Sequence, residues 1–248
     1  MITNLNAKKK KHLENLVANK MKTFAVILLA GSSTRFGSDQ KKQFFQIKGK
    51  PLFQYSLDAF ENSKEIDEIV LVSSKEDKDK VESLVKNNYK KVSSIVEGGK
   101  VRQESVKHGL DAIKDKDGYV LIHDSARPLV DEETISSLIK ALKNVEGAAP
   151  AIKVVDTLIR VSNNELESYE DRNSLLRIQT PQAFHLSVIK DAHKKYEGKN
   201  YTDDTQLVKL LHKKVAIIEG KEQLLKVTSL EDTHAVEAYI EQHEYLQN

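Results

Sequence analysis

TFAVILLAGSSTRFGSDQKKQF, residues 23–44, contains an apolar run that leads directly into a loop of glycines and hydroxyl residues. The run is aliphatic, with no polar alternation, which is typical of a strand buried on both faces of a parallel sheet. The loop then lies at the carboxyl edge of that sheet, where open α/β folds bind ligands. Gly31 and Gly37 allow backbone amides to converge on an anion, while Arg35 and Lys42 add positive charge. The stretch therefore predicts a phosphate-binding loop in an α/β protein.

This loop matches neither of the common phosphate-binding motifs. Ser33 stands where the G-x-G-x-x-G pattern of dinucleotide-binding folds has its second glycine, and no Walker G-K-[ST] follows. The interpretation depends on the loop's place after the first strand, and an ordinary surface turn remains the alternative.

The rest of the chain alternates short apolar runs with helical periodicity. Strands are predicted at 68–74, 92–99, 119–124 and 215–220, and helices at 51–63, 75–88, 101–114, 131–144, 184–196, 202–214 and 229–243. This alternation predicts an α/β fold with a doubly wound, mostly parallel sheet. Right-handed crossovers then bring the carboxyl ends of the strands to one edge.

Residues 150–182 interrupt this pattern by alternating in twos around Ser162-Asn163-Asn164. The alternation and the turn signal predict a β-hairpin arm that projects from the sheet. We expect the arm to mediate homodimerisation. It could also lend polar residues, among them Asp156, Thr157 and Arg172, to the site of a neighbouring subunit.

Composition and charge narrow the class of protein. The chain has 248 residues, a net charge of +2 and no cysteine, which excludes disulfides and thiolate chemistry. Residues 1–21 carry four consecutive lysines and are interpreted as an extension outside a catalytic domain at 22–248. We expect a cytoplasmic protein without a membrane or nucleic-acid partner; nucleic-acid or membrane-surface contact through Lys8–Lys11 is the weakest alternative.

Two further segments place polar residues at strand ends. Asp124, in IHDSARP, ends a predicted strand and could hold Mg²⁺ together with substrate phosphates, with Arg127 three residues on. The alternative is that Asp124 caps the turn and Arg127 pairs on the surface. His123 is interpreted as packed rather than catalytic. In EGGKVRQES, residues 97–105, the glycines allow close approach to a flat base, or form an ordinary β–α turn.

No pattern in the chain indicates a covalent nucleophile. TDDTQ, residues 202–206, predicts that Thr202 caps a helix whose dipole Asp203 and Asp204 complement. Cationic groups at a phosphate loop without a nucleophile suit transfer at phosphorus, in which the substrate supplies the nucleophile.

Together these segments resemble a known family. LAGSSTRFG…KKQF, HDSARP, Asp156-Thr157, DRNSLLRIQTPQAF at 171–184, TDD at 202–204 and KVTSLED at 226–232 have the order and spacing of the 2-C-methyl-D-erythritol 4-phosphate cytidylyltransferases, from about residue 23 to 242. The resemblance implies a Rossmann-like nucleotidyltransferase that transfers CMP from CTP to methylerythritol phosphate. Pyrophosphate is released, and the product serves isoprenoid precursor synthesis.

The resemblance also implies roles for individual residues. Arg35 and Lys42 would neutralise the CTP phosphates, and Lys226 would stabilise the pentacoordinate phosphorus. The nucleotide would contact Leu29, Ala30, Gly31, Gly99, Ser105 and Asp124. The acceptor would contact Arg127, Asp156, Thr157, Arg172, Thr180 and Thr202, with Thr157 and Arg172 supplied by the arm of a partner subunit. Mg²⁺ would sit mainly on the CTP phosphates, with Asp124 as the candidate ligand.

The chain departs from the family pattern at four positions, Leu29, Ser33, Lys100 and Leu224, where alanine, glycine, aspartate and asparagine are common. Two other functions remain open. One is the sister activity, ribitol-5-phosphate cytidylyltransferase of teichoic acid synthesis, whose members carry a valine that HDSARP lacks. The other is a catalytically silent relative that binds nucleotide.

Overall fold

The computed structural model describes residues 21–31, 36 and 40–247, with side chains described up to residue 242. Residues 1–20 of the predicted extension lie outside the described residues. So do Ser33, Gly37 and Arg35 of the predicted phosphate loop.

The described strands are short and follow the apolar runs of the sequence. In chain order they are β1 (Thr23–Leu28), β2 (Gln46–Ile47), β3 (Lys50–Pro51), β4 (Glu68–Ser73), β5 (Val92–Glu97), β6 (Tyr119–Asp124), β7 (Gly147–Lys153), β8 (Ile159–Ser162), β9 (Glu165–Tyr169), β10 (Leu176–Ile178), β11 (Gln182–His185) and β12 (Val215–Glu219).

The described helices alternate with these strands over most of the chain. They are α1 (Leu52–Asn62), α2 (Lys78–Val85), α3 (Arg102–Ala112), α4 (Glu132–Ala141), α5 (Leu186–Lys195), α6 (Asp204–Leu210) and α7 (Glu231–Gln247). Three short 3₁₀ helices lie at Lys42–Phe44, Arg172–Ser174 and Glu222–Leu224.

Eight strands form one central sheet, in which β1 lies between β4 and β6 and pairs parallel with both. β5 pairs parallel with β4, and β12 pairs parallel with β7. β11 runs antiparallel between β6 and β7, and β10 runs antiparallel to the far end of β7. The predicted α/β fold with a mostly parallel sheet is confirmed.

Alternate residues of β1 enter two separate hydrophobic layers. Ala25 and Ile27 face a core formed with α1, α2 and α4, whereas Phe24 and Val26 face a core formed with α3, α5 and α6. All four side chains are buried, because helices cover both faces of the sheet. This doubly wound arrangement leaves the carboxyl edge of the sheet for a ligand.

A third, smaller core lies beside that edge. Val236 and Ile240 of α7 pack with Phe36, Leu52 and Val227. Burial of these side chains holds the segment before α7 against the loops that follow β1.

The predicted arm is present, but it is shorter than 150–182. β8 and β9 form a separate antiparallel pair whose residues are all exposed. Asn163 and Asn164 both have positive φ values, 49° and 64°, as a two-residue type I′ hairpin turn requires. β7, β10 and β11 belong to the central sheet, so the chain leaves the sheet only between residues 153 and 176.

The helix predicted at 184–196 begins two residues late. Phe184 and His185 continue β11, and α5 begins at Leu186. Within the described residues, no helix combines the length and the apolar character needed to cross a membrane.

Gly109 of α3 offers a test of how tightly this helix packs on the sheet. A Cβ atom there would lie 2.5 Å from Val26 Cγ1 and 2.9 Å from Val72 Cγ2. Alanine normally gains about 1 kcal/mol over glycine inside a helix, but overpacking a core costs about 1–3 kcal/mol. We expect Gly109→Ala to lower the free energy of unfolding by up to about 2 kcal/mol, measured by urea titration.

Asp111→Asn, on the exposed side of the same helix, serves as the control. It removes the charge of the surface pair with Lys107 at nearly unchanged helix propensity and is expected to change the free energy of unfolding by less than about 0.5 kcal/mol. Stabilisation by Gly109→Ala would contradict the close packing of α3 on β1 and β4.

Candidate active site

A cavity of about 370 Å³ opens at the carboxyl edge of the sheet, beside the ends of β1 and β6 and the turn between β5 and α3. Many of the residues singled out from the sequence line it: Leu29, Ala30, Gly31, Lys42, Gly99, Ser105, Asp124 and Lys226. Segments that are remote in the sequence therefore meet in one place, as the strand order of a doubly wound sheet predicts.

Two glycines shape the wall of the cavity after β5. A Cβ atom on Gly98 would lie 2.6 Å from Ala30 Cβ, so the two loops approach as closely as a glycine permits. The Gly99 amide donates to Ser105 Oγ at 3.0 Å, and that hydroxyl lies 3.3 Å from the Val101 carbonyl. Ser105 thus fixes the turn that brings Gly99 into the cavity.

Asp124, the last residue of β6, is the carboxylate that lines the cavity among the described residues. Its Oδ1 lies 3.1 Å from Arg102 Nε and its Oδ2 lies 2.6 Å from Lys226 Nζ. Burial alone would raise the pKa of Asp124, but Arg102 and Lys226 outweigh burial and hold this pKa well below its usual range. Asp124 is therefore ionised at neutral pH and holds two cations at the cavity.

Lys42 and Lys226 are brought together by the segment that precedes α7. Lys42 Nζ donates to the carbonyl of Val227 at 3.0 Å, across 185 positions of sequence. The Val227 amide in turn donates to the Ala126 carbonyl at 2.8 Å. Two cationic side chains thus flank a cavity that also contains the Asp124 carboxylate.

Arg127 does not line the cavity and instead contacts the segment that precedes α7. Its Nη1 donates to the Leu224 carbonyl, and its Nε is buried without a hydrogen-bond partner among the described residues. The Leu224 side chain, one of the departures from the family pattern, is fully buried in the main core.

His123 and Thr180 form the support of Asp124. Thr180 Oγ1 accepts from the Asp124 amide at 3.2 Å and lies 3.2 Å from His123 Nδ1. His123 Nε2 lies 3.0 Å from the Arg127 carbonyl, so the network is satisfied with the proton on Nε2 and the Thr180 hydroxyl donating to Nδ1. Burial lowers the pKa of His123 to about 4. The interpretation of His123 as a packed residue is confirmed.

The remaining predicted acceptor residues do not line this cavity. Asp156, Thr157 and Arg172 are exposed on the arm, where Arg172 Nη1 donates to the Val155 carbonyl. The prediction that Thr202 caps a helix is wrong, because Asp203 is the N-cap and accepts from the Thr205 amide at 2.9 Å. Thr202 is exposed one residue earlier.

Sequence reasoning missed several cavity residues, above all Arg102. Arg102 is the first residue of α3 and bonds Asp124 and Asp204 together. Its place just after the glycine turn was the sequence signal that could have identified it.

Gln43 was also missed. Its Nε2 donates to the Leu29 carbonyl at 2.9 Å, which ties the Lys42 segment to the end of β1. Lys100 lines the cavity at its rim, and its amide donates to Glu104 Oε2 at 2.7 Å.

The buried His123 predicts a pH dependence of stability. The folded pKa, about 4, lies below the ordinary value of 6.5, so its contribution is fully present above pH 6.5 and is lost as the pH falls through the folded pKa. The complete loss amounts to roughly 3 kcal/mol. We expect His123→Leu to flatten this part of the curve in urea unfolding between pH 8 and pH 4.

His234→Gln, which removes an exposed imidazole, is the control for that measurement. An unchanged slope in His123→Leu would show that a different group causes any loss of stability in this range.

Comparison with known proteins agrees with the geometry. The family model described as IspD, 2-C-methyl-D-erythritol 4-phosphate cytidylyltransferase, matches residues 23–242. The protein of that name from Clostridium perfringens strain SM101 is 42% identical over 224 residues, covering 88% of this chain and 99% of the relative. The protein of the same name from Thermotoga neapolitana is 39% identical, and the match covers 84% of this chain and 92% of the relative.

Solved structures show the same likeness. The crystal structure of 4-diphosphocytidyl-2C-methyl-D-erythritol synthase from Anaerococcus prevotii matches with a TM-score of 0.78 at 30% identity, covering 89% of this chain and 96% of that chain. The bifunctional IspDF from Campylobacter jejuni matches with a TM-score of 0.73 at 29% identity, covering 85% of this chain and 53% of its own. The chain belongs to the 2-C-methyl-D-erythritol 4-phosphate cytidylyltransferase family, as its sequence motifs indicated.

Proposed function

We propose that this chain transfers the cytidylyl group of CTP to the phosphate of 2-C-methyl-D-erythritol 4-phosphate and releases pyrophosphate, a step of isoprenoid precursor synthesis. One observation supports this most directly. Lys42 and Lys226 lie at one cavity, together with the ionised Asp124, at the carboxyl edge of the sheet. The relatives named for this reaction span nearly the whole chain.

In the proposed reaction the acceptor supplies the nucleophile. A phosphate oxygen of the acceptor attacks the α-phosphorus of CTP, and the bond between that phosphorus and the bridging oxygen of pyrophosphate breaks. Negative charge spreads over the phosphoryl oxygens as this occurs, so the protein contributes positioning and charge stabilisation. Lys42 and Lys226 donate to those oxygens. Arg35, which lies outside the described residues, is proposed as a third cation that donates to the phosphoryl oxygens.

The cytidine half of CTP is proposed to bind against the backbones of Ala30 and Gly99, which both line the cavity. Leu29, Gly31 and Ser105 complete this part of the cavity. Gly98 packs directly against Ala30, so the two loops form one continuous wall against which a flat base can lie.

A divalent cation, proposed as Mg²⁺, would neutralise and orient the triphosphate when bound. Among the described residues, no three His, Cys, Asp or Glu side chains cluster to hold a metal ion. Asp124 is a chemically suitable single ligand, because each of its oxygens keeps a lone pair beyond the bond to Arg102 or Lys226. One carboxylate with substrate phosphates is a usual donor set for Mg²⁺.

The arm is proposed to pack on a second copy of the chain, giving a homodimer. Its apolar side chains are exposed, which is costly unless a partner covers them. The exposed set comprises Val155, Ile159, Val161, Leu166 and Tyr169 on the arm, continued by Leu176 and Ile178 of the adjoining strand β10. In the dimer, Asp156, Thr157 and Arg172 are proposed to hold the acceptor phosphate at the partner's cavity, with Arg127, Thr180 and Thr202 as supporting candidates. A cytoplasmic location remains part of this proposal.

The acceptor is tested by pyrophosphate release from CTP and Mg²⁺. We expect release with 2-C-methyl-D-erythritol 4-phosphate and background rates with ribitol 5-phosphate. Release with ribitol 5-phosphate alone would assign the chain to the sister activity. If CTP binds in calorimetry while neither acceptor reacts, the chain is a silent relative.

The shared site is tested by mixing subunits. Lys42→Ala removes a charge that faces the transition state, so we expect turnover to fall by about 100-fold or more. Arg172→Ala is expected to fall similarly. A heterodimer of the two has one site with both side chains intact, so random mixing should restore about a quarter of wild-type turnover.

Wild-type subunits mixed with Lys42→Ala subunits control for nonspecific effects of exchange and are expected to give about half of wild-type turnover. If the mixture of Lys42→Ala and Arg172→Ala recovers no activity, although subunits demonstrably exchange, the arm does not complete the partner's site.

A further inference from the structure

A line of charged side chains continues from the cavity into the interior of the protein. Arg102 contacts Asp124 through Nε and contacts Asp204 Oδ2 through Nη1 at 2.6 Å. The other oxygen of Asp204, Oδ1, lies 3.0 Å from His193 Nε2. Asp204 and His193 are 1% and 2% exposed, so neither side chain can touch a substrate in the cavity.

Asp204 fixes how the Arg102 guanidinium group meets Asp124. The guanidinium group is planar and can bind one carboxylate through two nitrogens at once. Asp204 holds Nη1 and so fixes the orientation of the guanidinium group, in which Nε is the atom that meets Asp124, at Oδ1. The second oxygen of Asp124 is thereby left to Lys226, which binds it at 2.6 Å.

His193 fixes the orientation of Asp204 from the opposite side. His193 Nδ1 is buried without a hydrogen-bond partner among the described residues. A neutral ring with its proton on Nε2 donates to Asp204 and leaves no buried N–H group unpaired. Burial would raise the pKa of Asp204, but Arg102 and His193 outweigh burial and lower it, so Asp204 remains charged.

We propose that Asp204, oriented by His193, is a positioning residue for the transfer reaction: it restrains Arg102 to one oxygen of Asp124 and so keeps the other oxygen for Lys226. This inference rests on the proposed function. Asp204 acts through Arg102 and Asp124, because its own side chain is buried behind the cavity.

A purely structural role for Asp204 makes a different prediction. Asp204 is also the first residue of α6, where a negative charge favours the helix dipole. Asp203 precedes it and already caps the helix. Asp203→Asn removes a charge from the same helix end and retains a capping side chain. It also disturbs a buried partner, because Gln182 Nε2 donates to Asp203 Oδ2 at 2.6 Å, so it controls for structural damage at this helix end without touching Arg102.

The test is the steady-state kinetics of both variants, with CTP varied at saturating acceptor. We expect Asp204→Asn to lower kcat/KM by about 10–100-fold, because a reacting group displaced by about 1 Å loses that much. Asp203→Asn should stay within about threefold of wild type. Equal losses in the two variants, or no loss in Asp204→Asn, would overturn the proposal.

A double-mutant cycle with Arg102 separates positioning from structure. In an Arg102→Met background, which is itself impaired, adding Asp204→Asn should cause no further loss of kcat/KM. A further loss as large as in the wild-type background would show that Asp204 acts independently of Arg102, and the proposal would fail.

A measurement that does not depend on turnover is needed in two cases: if Asp204→Asn fails to fold, and if the wild type shows no transfer. Hydrogen exchange at Arg102 Nε, followed by ¹⁵N NMR and assigned by loss of the signal in Arg102→Lys, should be slow in wild type. It should be faster in His193→Leu and near wild type in His193→Gln, which keeps a donor toward Asp204. Equal exchange in all three proteins would overturn the positioning role, whereas an inactive wild type with the expected exchange pattern would overturn only the proposed function.

Discussion

The fold and the site both depend on the charge of Asp124, which lies at the end of β6 with little solvent around it. A buried carboxylate needs paired cations, and removing one partner of such a group typically costs about 3–5 kcal/mol. Its partners are Arg102, 22 positions earlier, and Lys226, 102 positions later. The chain therefore has to bring the start of α3 and the segment before α7 to the end of β6. The pairing that stabilises this edge also places a cation at the cavity.

The C-terminal segment shows how packing serves this arrangement. Val227 is buried in the small core with α7, while its backbone bonds Ala126 and Lys42. Arg127 holds the Leu224 carbonyl, and the Leu224 side chain enters the main core. Because apolar anchors precede and follow Lys226, its position is set by burial on both sides. The leucine at position 224 thus has a packing role, even though the family commonly has asparagine there.

The sequence allowed much of this to be predicted where local patterns were strong. β6 was predicted with its observed bounds, because six residues with an apolar interior end in a polar one, and the arm was found from Asn163-Asn164. Most residues of β7 and β11 were assigned to the arm or to the following helix, because their pairing in the central sheet depends on partners remote in the chain. Thr202 was chosen over Asp203 because both residue types cap helices, and only backbone geometry decides between them. Arg102 escaped notice because its importance lies in Asp204, 102 positions away.

The arm leaves and re-enters the central sheet at adjacent strands, and this geometry bears on its proposed role. Lys153 of β7 and Leu176 of β10 pair directly, so both ends of the projecting segment are fixed in one ladder. Arg172 binds the Val155 carbonyl across the base of the arm, and this contact joins its two sides near the sheet. A side chain at the base of such a segment inherits the rigidity of the sheet, whereas one at the Asn163-Asn164 tip does not. In the proposed homodimer, Arg172 and Thr157 are therefore the arm residues best suited to present polar groups to a second copy in a defined geometry, because both lie near the base of the arm.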